Sequence, residues 1–403
     1  MPEGNVAPGD PAALDRAAWL ARAGLLLGNF AIGCGVMVAP GSLNDLARSL
    51  EVPVAVGGQL TSVGAVAMCL GAPLLAAALA GFDRRRLLTL SLLWFAVGHL
   101  LCALAPNFAV LLPLRAAAVL AAAVFTPQAA AAIGHMSTPQ QRGRAITTVF
   151  LGWSVASVLG APLHAWISEV FGWRWAYGLV AGLSLAGMAV VWRVIPDGVR
   201  PPALSLASWR RVFTHPVLMA MVAVTALFSA GQFTPFAYIA PWLRQVRGAS
   251  PEAVSLFFFW FGAFGVMGNL LLSRHVDRIG PARATGWMIA AMALGMALWP
   301  LSTGMTSLLL LITPWAFGCF ASNSAQQARF GLAAPELAGA LMALNTSAIY
   351  LGQALGAGGG GLLLAASGYD VLPWVGLAWL LAAWALSHWA ARQPLHLHPD
   401  DRT

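Results

Sequence analysis

The chain has 403 residues; 59% are apolar, only 9% are charged, and the mean hydropathy is +0.75. Soluble domains carry about 25% charged residues, so composition excludes a soluble enzyme, a disordered chain and a nucleic-acid binder. The net charge of +8 comes from 22 cations against 14 acids, and every cation is arginine; on so apolar a chain this excess belongs to membrane loops.

Residues 1–17 carry Glu3, Asp10, Asp15 and several prolines, and the apolar run that follows exceeds 20 residues. That run is too long for a cleavable signal core. A bilayer-spanning helix needs about 20 apolar residues, because hydrocarbon offers backbone groups no partner. Twelve such runs follow in chain order: about 18–40, 55–80, 87–105, 108–133, 145–168, 175–195, 217–240, 253–273, 284–303, 306–328, 338–366 and 371–391. Charge and turn residues punctuate them, among them Asn44-Asp45, Asp83 to Arg86, Arg142-Gly143-Arg144, Gly172-Trp173-Arg174 and Arg274 to Arg283. The sequence therefore predicts an all-α membrane protein of twelve transmembrane helices.

With the N-terminus inside, 17 arginines fall on the cytoplasmic side, four (Arg48, Arg174, Arg244, Arg247) fall outside, and Arg115 stays within a span. This bias predicts that both termini are cytoplasmic. The longest polar connection, 196–216, divides the chain into an N-terminal six-helix bundle (1–195) and a C-terminal one (217–403). Asp83-Arg84 and Asp277-Arg278 each follow the second helix of their half. Pro139, Gly143 and Gly160 recur 196 positions on as Pro335, Gly339 and Gly356. A duplicated six-helix unit accounts for this.

Particular residues sharpen the pattern. The run Arg274-His275-Val276-Asp277-Arg278-Ile279-Gly280 with Arg283 follows the second helix of the C-terminal half; Arg115 lies on the fourth helix; Gly152, Gly160 and Pro162 lie on the fifth; Asn345, Gly352, Gly356 and Gly361 lie on the eleventh. Together with the two six-helix halves, these resemble the major facilitator superfamily, and the stretch 29–174 is similar to bacterial drug- and sugar-efflux members. The resemblance implies two pseudo-symmetric bundles that rock about a midplane site. It also implies a gate latch at Asp277, Arg278 and Arg283. The chain departs from the pattern at several places: no glycine follows Asp83-Arg84, Val119 and Ala123 replace glycines of the fourth helix, His164 stands at a glycine position, and Val36 stands where efflux relatives often carry an acid.

None of the 14 acids falls mid-span; Asp45 and Glu169 come nearest, at outer helix ends. A coupling proton then needs another carrier. Histidine titrates near neutrality, and His164 on the interface helix is the coupling candidate, whereas His99 reads as structural. Arg115 costs at least about 2.5–3.5 kcal/mol in the membrane unless paired or hydrated. It is either a cavity group or a structural arginine bonded to carbonyls. Asn29, Gln128, Trp153, Gln232, Tyr238, Trp260, Asn323, Gln326, Asn345 and Gln353 lie at mid-depth on helices that the resemblance assigns to the cavity, although each alone could be a helix–helix contact. As a set with Arg115 they suit an uncharged or amphipathic solute.

Cys34, Cys69, Cys102 and Cys319 lie in apolar runs without metal-ligand spacing, so no metal and no cofactor is expected. Gly356-Ala357-Gly358-Gly359-Gly360-Gly361 lacks the Lys-Ser/Thr of a phosphate loop and reads as close helix packing or a flexible point. The protein is expected to be a monomeric secondary transporter of a bacterial inner membrane. Its expected partners are a small-molecule substrate, the lipid bilayer and protons, with no nucleic acid. The rival is an uncoupled facilitator or importer. Intramembrane protease motifs are absent from the sequence.

Overall fold

The computed structural model describes residues 11–79, 81–138, 142–200, 206–334 and 337–394. Pro139 and Pro335 lie outside the described residues, as does the side chain of Asp277. Among the described residues, twelve helical segments are long and apolar enough to cross a membrane. In chain order the helices are α1 (Pro11–Ser49), α2 (Val54–Gly57), α3 (Gln59–Ala78), α4 (Arg84–Ala103), α5 (Phe108–Met136), α6 (Arg142–Val155), α7 (Ala161–Phe171) and α8 (Trp173–Val194). After a short connecting helix, α9 (Leu206–Thr214), come α10 (Pro216–Phe236), α11 (Ile239–Gln245), α12 (Pro251–Ile279), α13 (Pro281–Leu298), α14 (Met305–Ala333), α15 (Ala338–Ser367) and α16 (Leu372–Arg392).

Helices α2 and α3 make the second span, α6 and α7 the fifth, and α10 and α11 the seventh. The fifth span is interrupted by a π turn at Ala156–Gly160, just before Pro162. Proline lacks an N–H and crowds the carbonyl four residues back, and a π turn accommodates both. Pro235 likewise ends α10, and Tyr238 sits at the break before α11. The first helix differs from expectation. It does not stop near residue 40 but runs to Ser49. Its polar end is satisfied across the bundle: Asp45 accepts from the Trp173 backbone N–H at 2.8 Å and caps α8. Gly172 precedes that cap at φ +99°, a backbone region that favours glycine.

Within each half the helices pack as a bundle, α1 against α5 to α8 and α10 against α14 to α16. The packing repeats 196 positions on. Gly160 abuts Cys34 of α1, and Gly356 abuts Ala230 of α10. Asn29 donates to the Val149 carbonyl, and the counterpart positions Thr225 and Asn345 are hydrogen-bonded to each other at 2.8 Å.

The two sets meet along α3 with α15, α7 and the π turn with α12, and α1 with α11. We term the surface carrying the 196–200 segment the linker face and its opposite the far face. The polar ties across the seam that the structure shows lie toward the far face. Ser255 donates to the Pro162 carbonyl at 3.2 Å, and Arg244 pairs with Glu169 at 3.8 Å. The Tyr238 ring lies against Gly58 of one half and Gly361 of the other, where an added Cβ would sit 2.3 and 2.6 Å from its hydroxyl.

Candidate translocation site

A small, mostly enclosed cleft of about 20 Å³ lies at mid-depth between the two sets of helices. Met37, Ser157 and Ala161 line it from one side; Gln232, Phe233, Phe236, Phe258, Phe261 and Phe320 line it from the other. The π turn places Ser157 here, its hydroxyl donating back to the Trp153 carbonyl at 2.9 Å. The phenylalanines are held by aromatic packing: Phe236 lies edge-on to Phe258 at 5.8 Å and beside Phe261 at 5.1 Å, with Trp315 behind them. Among the described residues, no charged one lines the cleft. Such a wall offers dispersion contacts and ring faces, with Gln232 and Ser157 as the polar handles.

Of the residues singled out in the sequence, Gln232 alone lines this cleft. Asn29 is fully buried and committed elsewhere: it donates to the Val149 carbonyl and accepts from Thr126 at 2.8 Å. Asn345 bridges three helices, accepting from Thr225 and donating to Asn323 at 2.9 Å. Gln326 donates to the Met221 carbonyl. Tyr238 donates to the Ala357 carbonyl at 2.6 Å and belongs to the far-face seam. Trp260 donates to Thr313 at 3.0 Å and lies tilted against the Phe264 ring; it projects from the side of α12 opposite Gly262, which meets the π turn. Gln128 and Gln353 are buried, and Trp153 is partly so.

Sequence reasoning missed the phenylalanine wall, although Phe257-Phe258-Phe259-Trp260-Phe261 announces it. It also missed Asn269, whose buried Oδ1 has no hydrogen-bond partner. Asn269 lies two turns from Gly262 and shares its face toward the other half.

Arg115 is 2% exposed, and its partner is a histidine that sequence reading set aside as structural. Its Nη1 meets His99 Nε2 at 2.9 Å, its Nη2 donates to the Val36 carbonyl at 3.4 Å, and Tyr177 lies beneath at 6.0 Å. His99 Nδ1 lies 2.8 Å from the Phe95 carbonyl. A carbonyl only accepts, so Nδ1 carries the proton and Nε2 accepts from Arg115; His99 is neutral here. His164 is fully buried where α7 crosses Gly41 of α1, and neither ring nitrogen has a hydrogen-bond partner of ordinary geometry.

At the linker face the two loop signatures serve differently. Asp83 caps α4, accepting from Arg86 N, and also accepts from Gly198 N at 2.6 Å; Arg85 pairs with Asp197 at 2.9 Å. The first loop thus grips the connecting segment. In the second, Gly280 turns at φ +85° between α12 and α13, and Arg278 is exposed.

The sequence matches the Major Facilitator Superfamily over residues 25–357. The chain belongs to that superfamily. It is 28% identical over 353 residues to the inner membrane transport protein YdhP of Escherichia coli strain K12, covering 87% of this chain and 91% of the relative. It is 27% identical to a probable sugar efflux transporter of Helicobacter pylori strain P12, covering 83% and 85%. Among solved structures, a bacterial homologue of the human lysosomal transporter Spinster superposes with a TM-score of 0.73 at 17% identity, covering 95% and 98%. A D-xylose–proton symporter does so with 0.72 at 15% identity, covering 91% and 97%. The protein is therefore a multi-pass membrane transporter with the major facilitator fold.

Proposed function

We propose that this transporter exports a small neutral or amphipathic compound across a bacterial inner membrane by alternating access. It works as a monomer, its linker face and both termini in the cytoplasm, with residues 1–195 and 217–403 as the two rocking units. The observation that carries this reading is the uncharged, phenylalanine-walled cleft on the seam between them. The ties on the far face support a reading in which that side is shut and the substrate enters from the linker face. The relative named as a probable sugar efflux transporter supports the direction. Gln232 orients the solute; Gln128, Trp153, Asn323 and Gln353 border its path; Asn29, Gln326, Asn345, Tyr238 and Trp260 keep the helices in register. Asp277, Arg278 and Arg283 latch the linker face in the opposite state. Protons are the coupling ion, through His164.

The test is export from vesicles reconstituted with purified protein and loaded with neutral aromatic solutes, with charged ones or with free sugars. Neutral aromatic solutes are expected to leave fastest, and Phe258→Ala to lower that rate about tenfold, the size of a lost ring contact of roughly 1–1.5 kcal/mol. Preference for charged solutes, or rates indifferent to Phe258→Ala, would refute the reading. The rival, an uncoupled facilitator or importer, is favoured by the lack of any carboxylate lining the cleft. A pH gradient separates the two.

A further inference from the structure

At the far-face seam, Glu169 contacts both halves. It lies near the end of α7, and its side chain is 8% exposed. From its own half, Asn44 donates to its Oε1 and Arg48 approaches its Oε2 at 3.8 Å. From the other half, Arg244 Nε of α11 reaches Oε1 at 3.8 Å, while Arg244 Nη1 donates to the Ala249 carbonyl. The neighbouring Asp45 is engaged inside the N-terminal half, capping α8 and pairing with Arg48 at 2.7 Å. Glu169 is thus the carboxylate presented across the seam.

We propose that Glu169 and Arg244 form the latch of the far-face gate, positioning residues that hold the substrate path shut on that side. The pair exists only while α11, packed on α1, holds Arg244 within reach of Glu169 on α7. Opening the far face must separate it and replace each partner with water. A partly buried pair is less screened than an exposed one, so the closed state gains what the open state loses. The break between α10 and α11, where Pro235 ends one helix and Tyr238 precedes the next, separates the segment carrying Arg244 from the long helix. The Tyr238 ring between Gly58 and Gly361 and the Ser255–Pro162 bond close the same face, while Glu169–Arg244 supplies its charge.

The inference rests on the alternating-access reading, and the test keeps the two apart. Spin labels at Phe171→Cys and Val246→Cys, both exposed and on opposite halves, report far-face opening in a variant whose native cysteines are replaced. Distances are measured in vesicles by electron–electron resonance. Glu169→Gln and Arg244→Gln are each expected to raise the ratio of long-distance to short-distance molecules about tenfold. Arg244→Lys should stay near the parent, since it keeps the charge. The double variant should be no more open than either single one, because a broken pair cannot be broken twice. If the parent shows one fixed distance under every condition, alternating access at this seam fails. If the parent exchanges but Arg244→Gln matches it, or Arg244→Lys opens as far as Arg244→Gln, the latch fails and the reading of function stands. The lysine–glutamine comparison decides the matter even if Glu169→Gln does not insert.

Discussion

Arginine in hydrocarbon demands a partner, and Arg115 finds one without a carboxylate. His99 serves because the Phe95 carbonyl fixes its tautomer, turning Nε2 toward the guanidinium. Removing that acceptor leaves a buried cation one bond short. His99→Ala is therefore expected to destabilise the folded protein by roughly 2 kcal/mol, the range for bonds to charged groups. His99→Gln, whose amide oxygen can accept, should lose less. Thermal unfolding in detergent, followed by tryptophan fluorescence, reads both; equal losses would mean that the ring's packing matters rather than its acceptor. The depth of Arg115 was legible in the sequence because residue count along a helix gives depth. Its partner was not, since a lone span does not say which neighbour it faces. The amides were ambiguous for the same reason: Asn29 and Asn345 sit at cavity depth and make the helix–helix contacts that each alone allowed.

Glycine spacing governs the contact between elements. Gly352, Gly356 and Gly360 recur every fourth residue along α15 and lie against Ala226, Ala230 and Thr234 of α10. At Gly352 an added Cβ would stand 2.1 Å from the Ala226 carbonyl oxygen and 2.6 Å from Ser229 Cβ, whereas at Gly359 nothing lies within 4 Å. Gly352→Ala should cost about 1–3 kcal/mol by forcing the helices apart, while Gly359→Ala should be neutral or add about 0.5–1 kcal/mol through helix propensity. Comparing the two unfolding midpoints tests the stripe, and equal effects would argue against it. Helix number was legible because the bilayer imposes it on length and apolarity. Helix ends were less so. Asn44-Asp45 reads as a turn, yet α1 continues through it because Glu169 and the α8 N-terminus supply partners that only the folded bundle brings near.

At the scale of the whole molecule, two measurements bear on direction and driving force. The arginine bias predicts that labels at residues 200 and 248 report opposite sides, with 200 inside; membrane-impermeant labelling in cells checks this, and external labelling of both would mean that the span count is wrong. The driving force is the harder matter, since the cleft lacks a carboxylate. The buried histidines near Arg115 differ in what protonation would disturb. His99 has both nitrogens engaged, so accepting a proton at Nε2 would surrender its bond to Arg115. His164 can accept one on its unprotonated nitrogen without giving up a hydrogen bond to a side chain, and it sits where α7 crosses α1 on a helix that also meets the other half. A charge appearing there would act directly on the seam. In proteoliposomes, an imposed pH gradient is expected to accelerate wild-type flux. His164→Gly should retain downhill movement and lose that acceleration, while His99→Gln should keep it. Wild-type flux that ignores the gradient would establish the facilitator, and a gradient that drives His164→Gly as well as wild type would leave His164 a packing residue.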